Sequence, residues 1–364
     1  MRELEYITIA GFKSIKAVKL PLRRLNLVIG GNGVGKSNLV NSFRFLHDIY
    51  WGRLQSLSAS GNPATYFFHG PKVTKSIALK LRFVENAYKA ANEYDVRIGY
   101  GEAGLFVSSE EVGFQDLSQY LSPYTDTLGT GAAKESVLRQ SKKRVARYVS
   151  EDIANFRVDH FHDTSRTASV KQPCKIDDNR TLASDAANLA PMLKLFQAKH
   201  PNNFALIEGT IKQIAPFFDG FVLEPLKANP EMIKLEWREK GSDDYMDGHS
   251  LSDGTLRFMC LATLLLQPDL PRLILLDEPE LGLHPAAIQV LASLLRAASQ
   301  RSQILLATQS VTLINQFDPE DVVVADRQDG GTTFTRLSSE TFSNWLDEYS
   351  IGELWEKNLI GGRP

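Results

Sequence analysis

Short apolar runs alternate with amphipathic stretches along the chain, and their periods predict a mixed α/β fold. A mostly apolar run, Leu25–Ile29, predicts a buried strand. Apolar residues at helical spacing predict a helix over residues 38–49 directly after it. Residues 76–83 and 94–100 alternate apolar and polar positions, which predicts half-exposed strands of an antiparallel sheet flanking the glycine-rich loop that follows Ile29.

A glycine-rich motif joins the first predicted strand to the first predicted helix. Residues 30–37 read Gly-Gly-Asn-Gly-Val-Gly-Lys-Ser, which is the G-x-x-x-x-G-K-S pattern of a phosphate-binding loop. Glycines let backbone N–H groups surround phosphate oxygens, Lys36 would neutralise the β- and γ-phosphates, and the Ser37 hydroxyl would ligate Mg²⁺. The predicted nucleotide-binding residues here are Gly30, Asn32, Gly33, Gly35, Lys36, Ser37 and Asn38. A glycine-rich turn without a nucleotide is the alternative, and the loop alone leaves a kinase, a GTPase, a helicase or an ATPase open.

Two carboxylates end a second apolar run, Leu273–Leu276. Asp277 and Glu278 are predicted to lie at the carboxyl end of a buried parallel strand, where α/β sheets bind ligands. This is a Walker B arrangement, in which Asp277 holds the Mg²⁺ shell and Glu278 orients or deprotonates the attacking water. Two acids at a strand end by chance are the alternative.

Polar residues flank two further apolar segments. Ser252 and Gly254 precede an apolar stretch, residues 259–266, that predicts a helix whose start would offer a hydroxyl and N–H groups to an anion. An ordinary N-cap would give the same pattern. Residues 308–310, Thr-Gln-Ser, follow a predicted strand over 304–307, where either a γ-phosphate sensor or a turn would lie.

The order of these motifs resembles that of ATPase heads of the ABC type. G-x-N-G-x-G-K-S, L-S-D-G-T, L-L-D-E-P-E-L-G-L-H-P and A-T-Q-S follow one another as in that class. Within it, the chain resembles the SMC, RecF and OLD-like branch, and especially the compact AAA-type ATPases of bacterial anti-phage systems. The resemblance extends from Gly11–Ser14 to Asn358–Pro364 and implies an ABC-type P-loop NTPase core that hydrolyses ATP with Mg²⁺.

The resemblance also implies roles for single residues. Ser252 and Gly254 match the signature loop, which in such ATPases contacts the γ-phosphate of ATP held by the partner subunit. Residues 280–284 match the D-loop, which crosses the dimer interface. Gln309 stands where many relatives have a switch histidine. The resemblance thus implies three catalytic residues: Glu278, Lys36 and Gln309. The implied assembly is a homodimer or higher even oligomer that sandwiches ATP. No clear Q-loop glutamine is present, and Gln55 is the nearest candidate.

The long separation between the P-loop and the Walker B strand leaves room for an insertion. We predict an N-terminal lobe over residues 1–114, an inserted and mostly helical lid over 115–245, and a C-terminal lobe over 246–364. Prolines interrupt the inserted segment and sustained heptads are absent, so the long coiled coil of SMC-like heads is not expected.

Two clusters in the inserted segment have open interpretations. The best helical run, Lys134–Tyr148, carries Arg139, Lys142, Lys143, Arg144 and Arg147, which fit a nucleic acid, an acidic partner or a solvated face. His160 and His162 fit either a metal site or a strand that returns to the ATPase core.

Composition narrows the functional classes. The net charge of −2 gives no global attraction to nucleic acid, although DNA binding through a local patch stays open. There is no secretory signal and no apolar run of membrane-spanning length, which predicts a cytoplasmic protein without a membrane partner. Residues 310–364 are too few for the TOPRIM nuclease of OLD-type relatives, so any cutting activity is expected in a partner.

Together these features predict an ATP-binding and ATP-hydrolysing dimeric switch of a bacterial anti-phage defence system. The switch would control a separately encoded effector, a nuclease or another toxin. Two alternatives stay open: an SMC/RecF-like DNA-repair ATPase that acts on DNA, and a scaffold that binds ATP but barely hydrolyses it.

Overall fold

The computed structural model describes residues 2–159, 161–340, 345 and 348–362. Its strands, in chain order, are β1 (Glu3–Phe12), β2 (Ile15–Pro21), β3 (Leu25–Ile29), β4 (Ser76–Glu85), β5 (Ala90–Gly101), β6 (Gly104–Asp116), β7 (Tyr124–Ala133), β8 (Phe156–Asp159), β9 (Cys174–Lys175), β10 (Phe218–Val222), β11 (Met232–Ile233), β12 (Glu236–Glu239), β13 (Tyr245–Asp247), β14 (Leu273–Asp277), β15 (Gln303–Ala307), β16 (Val322–Gln328) and β17 (Gly331–Arg336).

The α-helices of the described residues are α1 (Lys36–Tyr50), α2 (Leu54–Ala59), α3 (Arg144–Ala154), α4 (Leu189–Lys199), α5 (Pro201–Ile214), α6 (Asp253–Leu266), α7 (Pro285–Ser299), α8 (Val311–Ile314) and α9 (Ile351–Glu356). Short 3₁₀ turns lie at Pro63–Tyr66, Asn86–Tyr88, Leu138–Gln140, Ser169–Lys171, Gly248–Ser250 and Pro319–Asp321. None of these helices is long and apolar enough to cross a bilayer.

The chain divides into two compact units. The first unit comprises Met1–Phe156, Leu305–Gln309 and Asp318–Pro364. The second comprises Arg157–Ile304 and Ser310–Phe317. The boundary falls inside β15, so each unit contains part of that strand.

An antiparallel sheet of order β2-β1-β4-β5-β6-β7 forms one layer of the first unit. The alternation that predicted strands over 76–83 and 94–100 is visible in β4, whose apolar residues are buried at every second position. β4 pairs with β5 from Ser76–Gly99 to Glu85–Ala90, which confirms the predicted antiparallel pairing. α3 packs on β5 and β6 through an apolar stripe that includes Ala146, Val149 and Ile153.

A second sheet forms the other layer of the first unit, in the order β17-β16-β3-β15, with β17 antiparallel to β16. All five residues of β3 are buried, and β16 pairs with it in parallel from Val322–Leu27 to Val324–Ile29. The Thr308 amide donates to the Val28 carbonyl at 3.0 Å just beyond β15. β3, its following loop and α1 therefore confirm the predicted strand, loop and helix in order.

The second unit contains the strands β15-β14-β8 and a set of packed helices. α6 packs against α5 and α7, and its residues from Leu256 to Leu265 are all buried, as the apolar run predicted. A small antiparallel sheet has the order β10-β12-β13, and β11 pairs with β9. The α/β fold class predicted from the sequence is confirmed.

The segment 115–245 differs from the predicted mostly helical composition. It contains α3, α4 and α5 but also β7 and all the strands from β8 to β12. The helix predicted over 134–148 is wrong in its bounds, because α3 begins only at Arg144. Side-chain bonds hold the preceding residues outside a helix: Ser136 Oγ donates to Glu110 Oε1 at 2.5 Å, and the Lys134 carbonyl accepts from Gln55 at 2.8 Å.

Candidate nucleotide-binding site

The loop between β3 and α1 has the backbone geometry of a phosphate cradle. Gly30, Gly33 and Gly35 have φ angles of 152°, 75° and 115°, which L side chains rarely adopt. A Cβ on Gly30 would clash with the Ala325 carbonyl, whereas the space around Gly33 is open to 4 Å. Gly35 is the N-cap of α1, so the helix N-terminus and the N–H groups of its first turn begin at this loop.

Lys36 is buried inside this loop. Only 5% of the residue is exposed, and its Nζ donates to the carbonyls of Gly30 at 2.6 Å and Gly31 at 2.9 Å. The ammonium is therefore held at the centre of the turn, where the positive charge faces any anion bound by the surrounding N–H groups.

Hydroxyl groups that the motif does not include support the loop from behind. Thr332 Oγ1 donates to the Val34 carbonyl at 2.6 Å and lies 2.7 Å from Ser14 Oγ. Asn38, one of the predicted nucleotide-binding residues, donates its amide to Ser14 Oγ at 2.8 Å. The Asn38 amide therefore belongs to the hydrogen-bond network that holds the loop. Thr332 gave no signal in the sequence, because it belongs to β17 and follows the loop by almost 300 residues.

Replacing Thr332 by Val should loosen the loop without changing the volume of the side chain. The substitution leaves the Val34 carbonyl and the Ser14 hydroxyl short of a partner, which costs roughly 1–3 kcal/mol for a buried group. We expect a loss of stability of that size in urea unfolding and about a 10-fold weaker affinity for ATP by calorimetric titration. Thr335, exposed on the same strand, provides the control Thr335→Val. Equal effects of both substitutions would show that the hydroxyl of Thr332 has no special role.

The C-terminal segment also touches the loop. Trp355 is fully buried, and its Nε1 donates to the Gly362 carbonyl at 2.5 Å. A Cβ on Gly362 would lie 2.9 Å from the Ala325 carbonyl and 3.4 Å from Gly30 Cα. Gly362 therefore packs against the first glycine of the P-loop, which gives a physical reason for a glycine at this position.

The Walker B segment lies in the second unit and has a strained turn. Asp277 ends β14, and Glu278 follows with a φ of 44°, in the left-handed region that non-glycine residues seldom occupy. Pro279 and Glu280 are buried directly after it. Left-handed backbone at a non-glycine residue costs about 1 kcal/mol or more and is common at functional sites, so the turn fixes the direction of the Glu278 side chain.

A small cavity adjoins the two carboxylates. It has a volume of about 10 Å³, room for about one water molecule, and its walls include Asp159, Arg257, Asp277 and Glu278. Asp159, at the end of β8, is 2% exposed and pairs with Arg157 at 2.7 Å. Among the described residues, its Oδ2 has no hydrogen-bond partner. The carboxyl of Asp159 is thus a further acid in the walls of this cavity that no motif includes.

Burial raises the pKa of Asp159 to about 6, and the Arg157 guanidinium offsets only part of that shift. The native carboxyl therefore binds its proton more tightly than the unfolded chain, whose pKa is near 3.9. Stability attributable to Asp159 should fall as pH rises from about 4 to about 6, by on the order of 3 kcal/mol, and stay lower above that range. Asp159→Asn should remove this component in Mg²⁺-free urea unfolding at pH 4.5 and pH 7. The same pH dependence in wild type and variant would contradict the assignment.

The signature residues and the D-loop residues are packed against each other within the second unit. Ser252 is the N-cap of α6 and accepts from the Thr255 amide at 3.2 Å. A Cβ on Gly254 would clash with the Gly282 carbonyl, so the first turn of α6 requires glycine at that position. The Leu281 side chain is 51% exposed beside this contact. The predicted signature and D-loop residues therefore belong to one connected surface.

Arg257 ties this surface to a third segment. Its Nε donates to the Phe161 carbonyl at 2.9 Å, and one Nη donates to the His162 carbonyl at 3.1 Å. The other Nη donates to the Leu281 carbonyl in the D-loop. Burial lowers the pKa of Arg257, but arginine stays charged at neutral pH. Arg257 was not among the predicted site residues, although it follows the signature residues directly and lies on the buried face of α6.

The remaining predicted residues have simpler positions. Gln309 follows β15 in the first unit and is half-buried. Gln55, the candidate Q-loop residue, donates its amide to the carbonyls of Leu105 and Lys134, at 2.9 and 2.8 Å, and so joins α2 to neighbouring segments. His160 lies outside the described residues. The part of the chain that the structure describes contains no group of three or more His, Cys, Asp and Glu side chains placed to hold a metal.

The comparison with protein families decides which proteins this chain is related to. A family described as AAA domain, putative AbiEii toxin, Type IV TA system matches residues 25–315. The match covers more than half of the chain and includes the P-loop, signature, Walker B and D-loop segments. The chain belongs to this AAA family.

Solved structures agree on the fold of this AAA protein. The Smc head bound to the C-winged helix domain of ScpA is 18% identical over 94% of this chain and 99% of that chain, with a TM-score of 0.59. An Smc head with an extended coiled coil bound to the C-terminal domain of ScpA, from Pyrococcus furiosus, is 16% identical over 96% and 99%, with a TM-score of 0.61. An Smc head with a coiled coil and joint from Pyrococcus yayanosii is 13% identical over 96% and 99%, with a TM-score of 0.55.

No curated protein matches the chain. The chain is thus an AAA-family protein with the fold of Smc head domains, in agreement with the ABC/SMC-like P-loop type that the motif order predicted. The AAA protein also differs from the coiled-coil Smc heads, because no helix in the described ranges is longer than the 15 residues of α1 or α7.

Proposed function

We propose that this protein is an ATP-binding and ATP-hydrolysing dimeric switch of a bacterial defence system, which controls a separately encoded effector. The observation that carries the proposal is the P-loop, where Lys36 is buried among left-handed glycines at the N-terminus of α1. Such a cradle suits a nucleoside triphosphate, since N–H groups and an ammonium converge on one anion position.

We assign Mg²⁺ to two residues that carry oxygen donors. Ser37 follows Lys36 at the start of α1, and Asp277 ends β14 with a half-buried carboxylate. A hydroxyl and a carboxylate, completed by phosphate oxygens and water, are the ligands that Mg²⁺ prefers. The ion would neutralise charge on the triphosphate, and Glu278 would hold the attacking water as general base. Gln309 is assigned the γ-phosphate contact.

The dimer is proposed from the surface formed by α6 and the D-loop. Ser252 is exposed at the N-terminus of α6, and half-exposed Leu281 precedes Gly282, which packs against Gly254. Arg257 fixes the backbone of the D-loop. We assign Ser252 and Gly254 to the γ-phosphate of ATP bound by a second copy, so that ATP binding closes the dimer and hydrolysis opens it.

The link to defence rests on the family. Its description names a putative AbiEii toxin and a Type IV TA system, and toxin–antitoxin context favours a partner whose activity is kept in check. Two of the three Smc heads described above were solved with bound domains of ScpA, which supports a protein partner for a chain of this fold. The effector is proposed to be a nuclease or another toxin.

The test is a pull-down of tagged Glu278→Gln protein with ATP and Mg²⁺ from cells that carry the neighbouring genes. Glu278→Gln should hold the ATP-bound state, and Lys36→Ala, which should not bind ATP, is the matched control. A stoichiometric toxic or nuclease-like partner that depends on Lys36 supports the switch. Absence of any ATP-dependent protein partner contradicts it.

The Smc-head fold favours a second candidate function, a DNA-repair ATPase. That function requires DNA binding that weakens steeply with salt and ATP hydrolysis that DNA stimulates. Recovery of DNA and repair proteins in the same pull-down, together with stimulated hydrolysis, would replace the switch by this function.

A further inference from the structure

A cleft in the first unit lies apart from the P-loop motif and has no assigned role. Its volume is about 420 Å³, within the usual range of small-molecule sites. The walls come from the N-terminus of the chain, the turn between β4 and β5, the strands β5 and β6, and the start of α3. The side chains that carry the argument are Arg2, Tyr88, Asn92, Phe114, Arg144 and Tyr148.

Asn92 provides a specific polar group in the walls of the cleft. The residue is 5% exposed, and its Oδ1 has no hydrogen-bond partner among the described residues. An amide oxygen buried without a partner costs roughly 1–3 kcal/mol, which a ligand donor would recover once the Asn92 side chain turns its oxygen toward the cleft. The amide of asparagine can both accept and donate, so it suits the edge of a nucleobase.

Aromatic rings flank this amide. Tyr88 is 76% exposed at the turn between β4 and β5, and Phe114 is 40% exposed on β6, where it pairs with Asn92 across the strands. Exposed rings of this size are costly to leave in water and offer flat faces for stacking. Base–aromatic stacking contributes about 1–3 kcal/mol per base.

Charged side chains form another part of the cleft wall. Arg2 lies 4.8 Å from the ring centre of Tyr148 and is held by Asp152 at 3.3 Å. Arg144 is exposed at the first residue of α3, and its Nε lies 3.4 Å from the Tyr148 hydroxyl. The carboxylate of Glu85 also lines the cleft and would accept from an exocyclic amine.

Other residues of the basic run 139–147 contact side chains outside the cleft. Lys143 pairs with Asp126 at 2.6 Å, and Arg139 lies 4.3 Å from the ring centre of Trp51. Arg144 is the member of this run that lines the cleft. A phosphate group at the cleft mouth would therefore meet Arg144 rather than the run as a whole.

We propose that this cleft is a second nucleotide site, which binds one nucleobase with its phosphate. The base stacks on Tyr88 and Phe114, Asn92 reads its edge, and Arg144 holds the phosphate. The ligand is either a free nucleotide or one nucleotide of a single strand, since both present the same base and phosphate. This site goes beyond the proposed function and does not depend on it.

The experiment uses the full chain with Lys36→Ala, so that the P-loop does not contribute. Binding of the four nucleoside 5′-monophosphates and of a fluorescent single-stranded hexanucleotide is measured by calorimetry and anisotropy. Tyr88→Ala and Arg144→Ala should each raise the Kd about 10-fold, the factor expected for one stack or one phosphate contact. Arg144→Ala should also lower the salt dependence of hexanucleotide binding, because one cation is lost.

Two exposed residues outside the cleft give matched controls. Tyr245→Ala removes an exposed ring from β13, and Arg147→Ala removes a cation from α3, and both should change the Kd less than about twofold. Binding of a monophosphate identifies a free nucleotide as the ligand, and binding of the hexanucleotide alone identifies a strand. No binding of either probe, or equal effects of cleft and control variants, would overturn the proposal.

Discussion

A Glu278→Gln variant should hydrolyse ATP at least about 100-fold more slowly than the wild type while binding ATP with similar affinity. The amide keeps the shape of the side chain but cannot take a proton from water, and loss of a general base typically removes roughly 10²–10⁴ of the rate. The left-handed turn at Glu278 and the buried Pro279 after it are backbone features, so Gln should keep the same direction. Phosphate release measured at saturating ATP and Mg²⁺ gives the rate.

The control for this prediction is Glu356→Gln, a neutralised carboxylate on the exposed face of α9. It should hydrolyse ATP at the wild-type rate. Unchanged hydrolysis in Glu278→Gln, with the ATP-dependent dimer still present, would show that another group activates the water. Negligible hydrolysis by the wild type itself, with normal ATP binding, would instead favour the scaffold alternative.

Local signals in the sequence predicted the elements that carry the motifs. The buried runs of β3 and β14 and the helices α1 and α6 depend on a period within about ten to fifteen residues, which a single sequence contains. The polar groups at their ends were predictable for the same reason, because ligand sites of α/β folds form where such strands end.

The support of the site was not predictable, because it is non-local. Ser14 and Thr332 are 318 residues apart in sequence, yet their hydroxyls lie 2.7 Å apart behind the P-loop. Asp159 shares a cavity with Glu278 although β8 and β14 are far apart in the chain. The spacing of apolar residues within each segment does not indicate which distant segment it contacts. Those contacts depend on strand order and packing.

The prediction for segment 115–245 was weaker for a different reason. Helical spacing over 134–148 was real, but hydrogen bonds of Ser136 and Lys134 to side chains elsewhere in the chain override it, and the helix begins only at Arg144. Tertiary contacts of this kind commonly outweigh helix propensity, which is worth only tenths of a kcal/mol per residue. The short strands in the segment lack a clear alternation of apolar and polar residues, so the sequence did not predict them.

A Ser252→Arg variant should lose the ATP-dependent dimer, with the dimer Kd raised at least about 100-fold. Ser252 is exposed at the N-cap of α6, so the longer side chain can extend into solvent, and loss of the cap costs about 1 kcal/mol. In the proposed dimer the same side chain would fill the position that the γ-phosphate of the partner's ATP occupies. The measurement is sedimentation equilibrium with ATP and Mg²⁺ in the Glu278→Gln background.

Ser350→Arg is the control, because Ser350 is likewise an N-cap serine that accepts from the backbone amide three residues on, here within a capping box with Glu353. It loses a cap and gains the same bulk and charge at a residue with no proposed contact to the partner. Monomers for Ser252→Arg and dimers for Ser350→Arg would separate the trans contact from the stability of a helix end. A dimer of unchanged affinity in the Ser252→Arg variant would mean that the signature residues face away from the interface, and the head-to-tail arrangement would have to be abandoned even if ATP hydrolysis is confirmed.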